Sequence, residues 1–404
     1  MEESKNKYIT LPALFNNNNL LEFALEPNKR YLNLSDSFLQ FYVELEESFV
    51  PDNNFCNKLF EYFDLTVNYE DCFFKSSPND YDFTSHINDK IFRNQKHMEK
   101  LKFEGHFDSY SYDSSELKQV TEVVNNRRGE SFTKTVVDKN GLSSDKVFYR
   151  YFIMLPLNHG LCRDGQILPA GTHVRLTFHR AKPSKALVDI SDEIISFDGN
   201  TISIIDPLFQ SCWTSSEKLT QQMAKVNTSG ISIPFHSSHI RHRVLVSGST
   251  EYTIDISQGP LPEYMVFFLM EPERFNNDLK LSSTKMSRHG LDQFSLTLDN
   301  VIMENYPLKV IRYEDSTFYH EFYKRWLVMT SNYTDTDEPI MTEETYINTN
   351  FMILETFQNF VSKEGQLVVN LKFEADLQKQ ILLCWMPCVK KNLNFDRNLV
   401  ARIN

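Results

Sequence analysis

The residues whose types and spacing come nearest to a reactive site are His236, His239 and His242, a His-x-x-His-x-x-His run beside Arg241 and Arg243. Three converging imidazoles could hold a zinc ion. In an extended segment, however, side chains alternate between faces, so a spacing of three sends the middle histidine away from its neighbours. The run is expected to be a polar strand or loop, with no metal. Cys384 and Cys388 share one side of a predicted strand, with Met386 between them. Strand residues four apart have Cα atoms about 13 Å apart, too far for a disulfide, so both are expected to be buried core thiols. Arg127-Arg128 lies in a polar stretch and is expected to be a solvated loop tip rather than a ligand patch. No Ser/His/Asp or Cys/His arrangement stands out, and no Gly-rich phosphate loop is present. Paired glycosidase carboxylates would leave no linear signature. No catalytic, cofactor-binding or metal residue is assigned, and no cofactor is expected.

The elements that would position any site repeat. Phe63-Asp-Leu-Thr-Val-Asn68 recurs as Phe294-Ser-Leu-Thr-Leu-Asp299, apolar at alternate positions both times. Each copy is followed at nearly the same distance by a helix-like aromatic stretch, and then by a third matching strand, Val174-Arg-Leu-Thr-Phe178 or Val369-Asn-Leu-Lys-Phe373. One such match is common in β proteins; three in the same order indicate a tandem duplication. The last interval is longer in the first half, by about the length of a polar tract from Ser109 to Lys146. That tract is expected to be a surface insertion.

Residues 1–20 sustain no periodicity and are expected to form an N-terminal arm, with Leu11, Leu14 and Phe15 able to order against a neighbour. The first β-rich domain is assigned to 21–228, with the insertion at 109–146, and the second to 229–404. Helices are expected at 85–101, from a Thr214/Glu217 capping box to near Gly230, and at 315–329, where Phe318, Phe322 and Trp326 stack. A hairpin is expected about Asp198-Gly-Asn200. About eight strands per copy, joined by turns and a short helix, suit an all-β fold of two tandem eight-stranded antiparallel jelly rolls.

Composition sets further bounds. The chain has 404 residues, 41% hydrophobic and 13% aromatic, with 32 Phe and 18 Tyr, which favours strands. A formal net charge of −12 argues against neutralising nucleic-acid phosphates, so no direct sequence-specific nucleic-acid partner is expected. The 6 cysteines are too sparse for a disulfide scaffold and fit a reducing compartment. Asn33, Asn227 and Asn332 begin glycosylation triplets and are expected to be unmodified in a chain made inside a cell. No run is long and apolar enough for a membrane span.

Several stretches, taken in order, resemble one family. They are Tyr31-Leu-Asn-Leu-Ser-Asp36, Leu155-Pro-Leu-Asn-His-Gly160, the longer Gln166 to Arg180, Gln258 to Leu269 with its Gly-Pro-Leu-Pro strand entry, Phe294 to Leu308, and Asp396-Arg397-Asn398. Over roughly residues 25 to 404 the chain resembles the double-jelly-roll major capsid proteins of Polinton/Maverick elements and adintoviruses, relatives of virophage and adenovirus capsomers. It is at the short end of that family, and 109–146 aligns with nothing in it. The resemblance implies a non-enzymatic major capsid protein located in the virion shell. It further implies a homotrimeric, pseudo-hexagonal capsomer tiling an icosahedral facet, with itself, penton and minor capsid or cement proteins as partners. The competing class is a glycan-binding or glycan-hydrolysing protein on paired β-sandwiches. Sugar binding usually uses exposed tryptophan, and the 3 here (Trp213, Trp326, Trp385) each lie inside an apolar pattern.

Overall fold

The computed structural model describes residues 5–68, 70–71, 80–93, 110–137, 141, 143–163, 166–191, 202–215, 230–276, 278–313, 316–331, 341–357, 364–396 and 398–403. The first half contributes β1 (Lys5–Pro12), β2 (Phe15–Asn16), β3 (Leu20–Leu25), β4 (Tyr31–Glu46), β5 (Phe49–Pro51), β6 (Phe60–Val67) and β7 (Glu70–Asp71). It continues with β8 (Glu130–Val137), β9 (Ser143–Pro156), β10 (Ile167–Leu168), β11 (Val174–Arg180), β12 (Leu187–Asp189) and β13 (Ile202–Ser215). The second half contributes β14 (Ile231–Ser238), β15 (Arg241–Leu245), β16 (Glu251–Pro260), β17 (Tyr264–Met270), β18 (Leu291–Leu298) and β19 (Val301–Ile302). It ends with β20 (Leu308–Lys309), β21 (Ile311–Tyr313), β22 (Ser316–Phe318), β23 (Met352–Thr356), β24 (Glu364–Phe373), β25 (Ile381–Phe395) and β26 (Ala401–Ile403). Between them lie helices α1 (Phe55–Lys58), α2 (Asp80–Phe92), α3 (Ser114–Leu117), α4 (Thr121–Arg127), α5 (Gly160–Arg163), α6 (Pro183–Ala186), α7 (Pro272–Phe275), α8 (His320–Thr330) and α9 (Glu343–Thr349).

Each half is a sandwich of two antiparallel sheets with matching strand order. In the first half one sheet runs β1-β13-β4-β9-β8 and the other β2-β3-β11-β6-β7. In the second, one runs β14-β25-β17-β23 with β15 also on β25, and the other β16-β24-β18-β19. In both, the opening strand (β1 or β14) pairs with the last long strand (β13 or β25), and in the facing sheet β3 or β16 pairs with β11 or β24, as a jelly roll requires.

The repeated strands show why this sequence forms these sheets. Phe63, Leu65 and Val67 are buried on one side of β6, opposite Phe178, Leu176 and Val174 of β11. The Phe63 and Phe178 rings stack at 4.6 Å. Phe60 also points inward although it lies three residues from Phe63, because a bulge between Arg180 and His179 shifts the register there. In the second half Phe294, Leu296 and Leu298 face Leu371, Val369 and Leu367. Phe294 and Leu296 are buried and Leu298 is half-buried. The third matched strand is therefore offset: Val174 sits where Leu367 sits, not where Val369 does. A slide of two residues keeps every side chain on its own face, so hydrophobic alternation could not reveal it.

Several expectations are corrected. The arm is, from Lys5, a full strand: β1 pairs with β13 from Lys5↔Ser215 to Pro12↔Leu208. Ile9 and Leu11 turn toward the first core while Tyr8 and Thr10 face outward. An edge strand needs an apolar residue only at every second position on one face, and over so few residues that pattern passed for an irregular tail. Thr214, proposed as a helix cap, lies within β13 opposite Tyr31; the rest of that helix, 216–229, lies outside the described residues. So do the Asp198-Gly-Asn200 turn, residues 94–101 of the first expected helix and the junction at 228–229. The first helix instead spans Asp80–Phe92, and the last, α8, starts at His320 rather than at 315, after the hairpin β21–β22.

The insertion also differs from expectation. Its second part pairs as the hairpin β8–β9, extending the first sheet. Its first part is only partly at the surface: Lys118 to Glu122 are exposed, but Ser111 and Leu117 are 0% exposed and Arg127 is 1% exposed. Arg127 is no loop tip. Its guanidinium donates to the carbonyls of Pro51 (3.2 Å) and Tyr110 (3.3 Å) and lies over the Tyr112 ring. Arg128 covers the Tyr149 ring and donates to the Glu47 carbonyl. A polar tract can be buried when its charges meet partners instead of water.

Candidate functional site

The residues singled out for chemistry do not converge. His236 lies on β14 opposite Lys390, and His242 on β15 opposite Cys384. Six positions along β25 separate them, about 20 Å at the strand rise. The His236 Nε2 meets Glu263 at 2.7 Å, His239 accepts from Arg241 Nε at 2.9 Å, and the His242 ring packs on Phe275. Among the described residues no three His, Cys, Asp or Glu side chains are placed to share a metal ion. Cys384 and Cys388 are buried and unbridged, as are Cys56, Cys162 and Cys212; Cys72 lies outside the described residues. All 3 tryptophans are buried.

What the fold does concentrate is the seam between the two sandwiches. Helix α2 leaves the first sandwich and lies across the outer face of the second. Phe83 packs on Phe268 and Phe275, Phe92 on Tyr264, and Asn88 accepts from the Tyr264 hydroxyl at 3.3 Å. Ile87 and Ile91 join the second core, and β17 is buried from Tyr264 to Met270. In return Ile233, Phe235, Leu393 and Phe395 of the second half pack into the first core. The Asn158-His159-Gly160 turn belongs to this seam as well. His159 stacks over Phe235, Asn158 donates to Ser85, and the backbone of Gly160 touches that of His236. A Cβ at residue 160 would sit 1.8 Å from the His236 carbonyl oxygen, so only glycine fits.

The polar part of the seam is a set of buried ion pairs. Lys58 Nζ meets Asp52 at 2.5 Å, and Lys185 Nζ meets Asp82 at 2.8 Å. The four side chains are at most 2% exposed. Asp52 also reaches across to the second half, accepting from Ser282 Oγ (2.7 Å) and the Ser283 amide (3.2 Å). From the insertion, Asp113 takes both terminal nitrogens of Arg274 (2.5 and 2.8 Å), the Ser282 amide (2.9 Å) and Lys285 (3.3 Å). Lys285 reaches Glu116 at 2.7 Å, and Arg274 also pairs with Glu271. The insertion is thus the mortar of the seam, a role its polar composition concealed.

This network carries a pH dependence. Burial of Asp113 favours its neutral form, but Arg274, the Ser282 amide and Lys285 outweigh it and hold the carboxyl below its usual range. Glu271 is buried too, yet Lys379 and Arg274 hold it low in the same way. Near them, burial pushes the His289 imidazole down to about 4, only partly countered by Glu271. All three groups act in one direction. A depressed histidine contributes fully above its ordinary pKa and loses that contribution as pH falls toward about 4. A depressed carboxyl keeps its contribution until pH enters the ordinary carboxylate range, and then loses it. The denaturation midpoint is expected to be lower at pH 5 than at pH 7.5. In His289→Gln that difference should shrink, and an unchanged difference would remove His289 from the account.

Two tandem jelly rolls joined by a covered seam define the class of protein: a double jelly roll. No known family model matches the sequence, and no curated protein sequence does either. Solved structures do match in fold. A chain of the Sputnik virophage cryo-EM structure superposes with a TM-score of 0.65 at 10% identity, covering 99% of this chain and 88% of its own length. The mavirus major capsid protein superposes with a TM-score of 0.56 at 8% identity, covering 98% of this chain and 90% of its own. A chain of the PBCV-1 virus capsid gives 0.53 at 8% identity, covering 100% and 97%. This chain has the double-jelly-roll architecture of those capsid proteins along its whole length.

Proposed function

We propose that this chain is a major capsid protein: a non-catalytic building block that forms a homotrimeric, pseudo-hexagonal capsomer and tiles the facets of an icosahedral virion. The observation that carries this is the duplication itself. Two like sandwiches in one chain become six around a threefold axis, a near-hexagonal block that can pack in a plane. The fold likeness to virophage, mavirus and PBCV-1 capsid chains supports the same reading. Its partners would be further copies of itself, then penton and minor capsid or cement proteins, in the virion shell. The paired-sandwich lectin or glycosidase is disfavoured by the burial of Trp213, Trp326 and Trp385. Mass photometry tests the proposal. The purified protein is expected to run at three times the 47.4 kDa chain mass at neutral pH and micromolar concentration. A monomer or dimer under those conditions would end the capsomer reading.

A further inference from the structure

We propose that the outer face of β4 and β9, centred on Tyr42 and Phe152, is the seat for the second sandwich of another copy of this chain; this rests on the trimeric reading above and names its interface. The inference comes from comparing equivalent faces. β17 is the counterpart of β4: each lies between the last long strand (β25 or β13) and the strand after the helical connection (β23 or β9). On the outer face of β17 and its neighbours, Val266, Phe268, Leu354, Cys384 and Met386 are at most 2% exposed, and α2 of the first sandwich packs on this face through Phe83 on Phe268 and Phe92 on Tyr264. On the corresponding face of the first sandwich, Tyr42 and Phe152 are register partners with rings 5.3 Å apart, and each is 39% exposed. Tyr8, 51% exposed, extends the patch through Phe38.

The polar groups beside this patch already serve one another. Arg150 pairs with Glu44 at 2.5 Å, and Lys134 pairs with the same carboxylate. What remains open to a partner is aromatic surface. The occupant follows from the seam. Within one chain the first sandwich offers its helical connection, and the second receives it on the face of β17. That contact is head-to-tail, so each chain keeps one unused giver and one unused receiver. The unused giver is the same side of the second sandwich, where α8 exposes Val328 at 52%. The unused receiver is the Tyr42–Phe152 face. Repeating one contact between like units leaves no end unpaired once the ring closes, and three chains supply six units.

The test is mass photometry of the full chain and two variants, with thermal unfolding alongside. The double variant Tyr42→Asp/Phe152→Asp and the single variant Val328→Asp are each expected to raise the trimer–monomer midpoint concentration by more than about tenfold. Val244→Asp, on the exposed part of β15, is the control and should stay trimeric. Trimeric variants beside a trimeric unmodified chain would overturn this interface and leave the capsomer reading standing. An unmodified chain that never trimerises would overturn both. Should the double variant misfold, hydroxyl-radical labelling of the unmodified trimer decides. Tyr42 and Phe152 are expected to label as slowly as the fully buried Tyr346, and labelling typical of open rings would refute the proposal.

Discussion

Replacing Asp52 by Ala is expected to destabilise the chain by roughly 3–5 kcal/mol, the loss typical when one partner of a buried ion pair is removed. The size follows from what is left behind. Lys58 is 0% exposed, and burial already presses its ammonium toward the neutral form, with Asp52 the main counterweight. Without Asp52 the ammonium must deprotonate or remain unpaired in a low-dielectric setting. The Ser282 hydroxyl and the Ser283 amide lose their acceptor in the same step, so the seam weakens along with the first sandwich. Chemical denaturation would measure the loss. Hydrogen exchange would show whether α2 and the 281–286 segment open first, as a seam defect requires. The double change Asp52→Leu/Lys58→Met should recover much of the loss, because a well-packed apolar pair dispenses with both desolvation costs. A loss for Asp52→Ala below about 1 kcal/mol, the scale of a surface pair, would show that Lys58 finds water.

Truncating Phe294 to Ala is expected to cost a similar amount, roughly 3–5 kcal/mol, by a different mechanism. The ring is 1% exposed and packs against Phe267 at 5.3 Å and Tyr306 at 5.9 Å, so its removal leaves a cavity bordered by rigid strands. Phe63→Ala should match it, since Phe63 is 3% exposed against Phe178 and Tyr81. Val301→Thr, at a position 68% exposed on β19, should change stability by less than about 0.5 kcal/mol. Denaturation midpoints of the three variants would check the ordering. A mild Phe294→Ala would mean that the two repeated strands are not equivalent core positions.

The parts of this fold that were legible before any coordinates are those governed by a short period. Alternating Phe, Leu and Val at 63–67, 174–178 and 294–298 announce strands because period two is a local property of the backbone. The burial of Cys384 and Cys388 follows from the same alternation. What could not be read depends on partners distant in sequence. The register offset between Val174 and Val369 preserves every face, so no pattern of side chains marks it. The strand at Lys5–Pro12 exists because β13 offers it an edge some two hundred residues later. Asp113, Glu116 and Arg127 resemble solvated residues until Arg274, Lys285 and the Pro51 carbonyl are brought to them. Nothing near Gly160 in the sequence marks its constraint, the His236 backbone beside it. The candidate surface was equally hidden. Tyr42 and Phe152 become conspicuous only when the same face of the second sandwich is seen to be covered.

The sharing of Ile233, Phe235, Leu393 and Phe395 with the first core has a consequence for synthesis. Chains emerge from the ribosome amino end first, and in most tandem proteins the leading domain folds while the rest is still being made. Here the leading sandwich is missing part of its own interior until residue 395 has appeared, and its first strand cannot pair until Ser215 has. Closing such long loops costs little extra stability, because the entropic penalty grows only with the logarithm of length. It costs time, during which the part of the first core filled by Ile233, Phe235, Leu393 and Phe395 stays open. A ribosome that stalls after the first half would therefore release an aggregation-prone fragment rather than a smaller, self-sufficient domain.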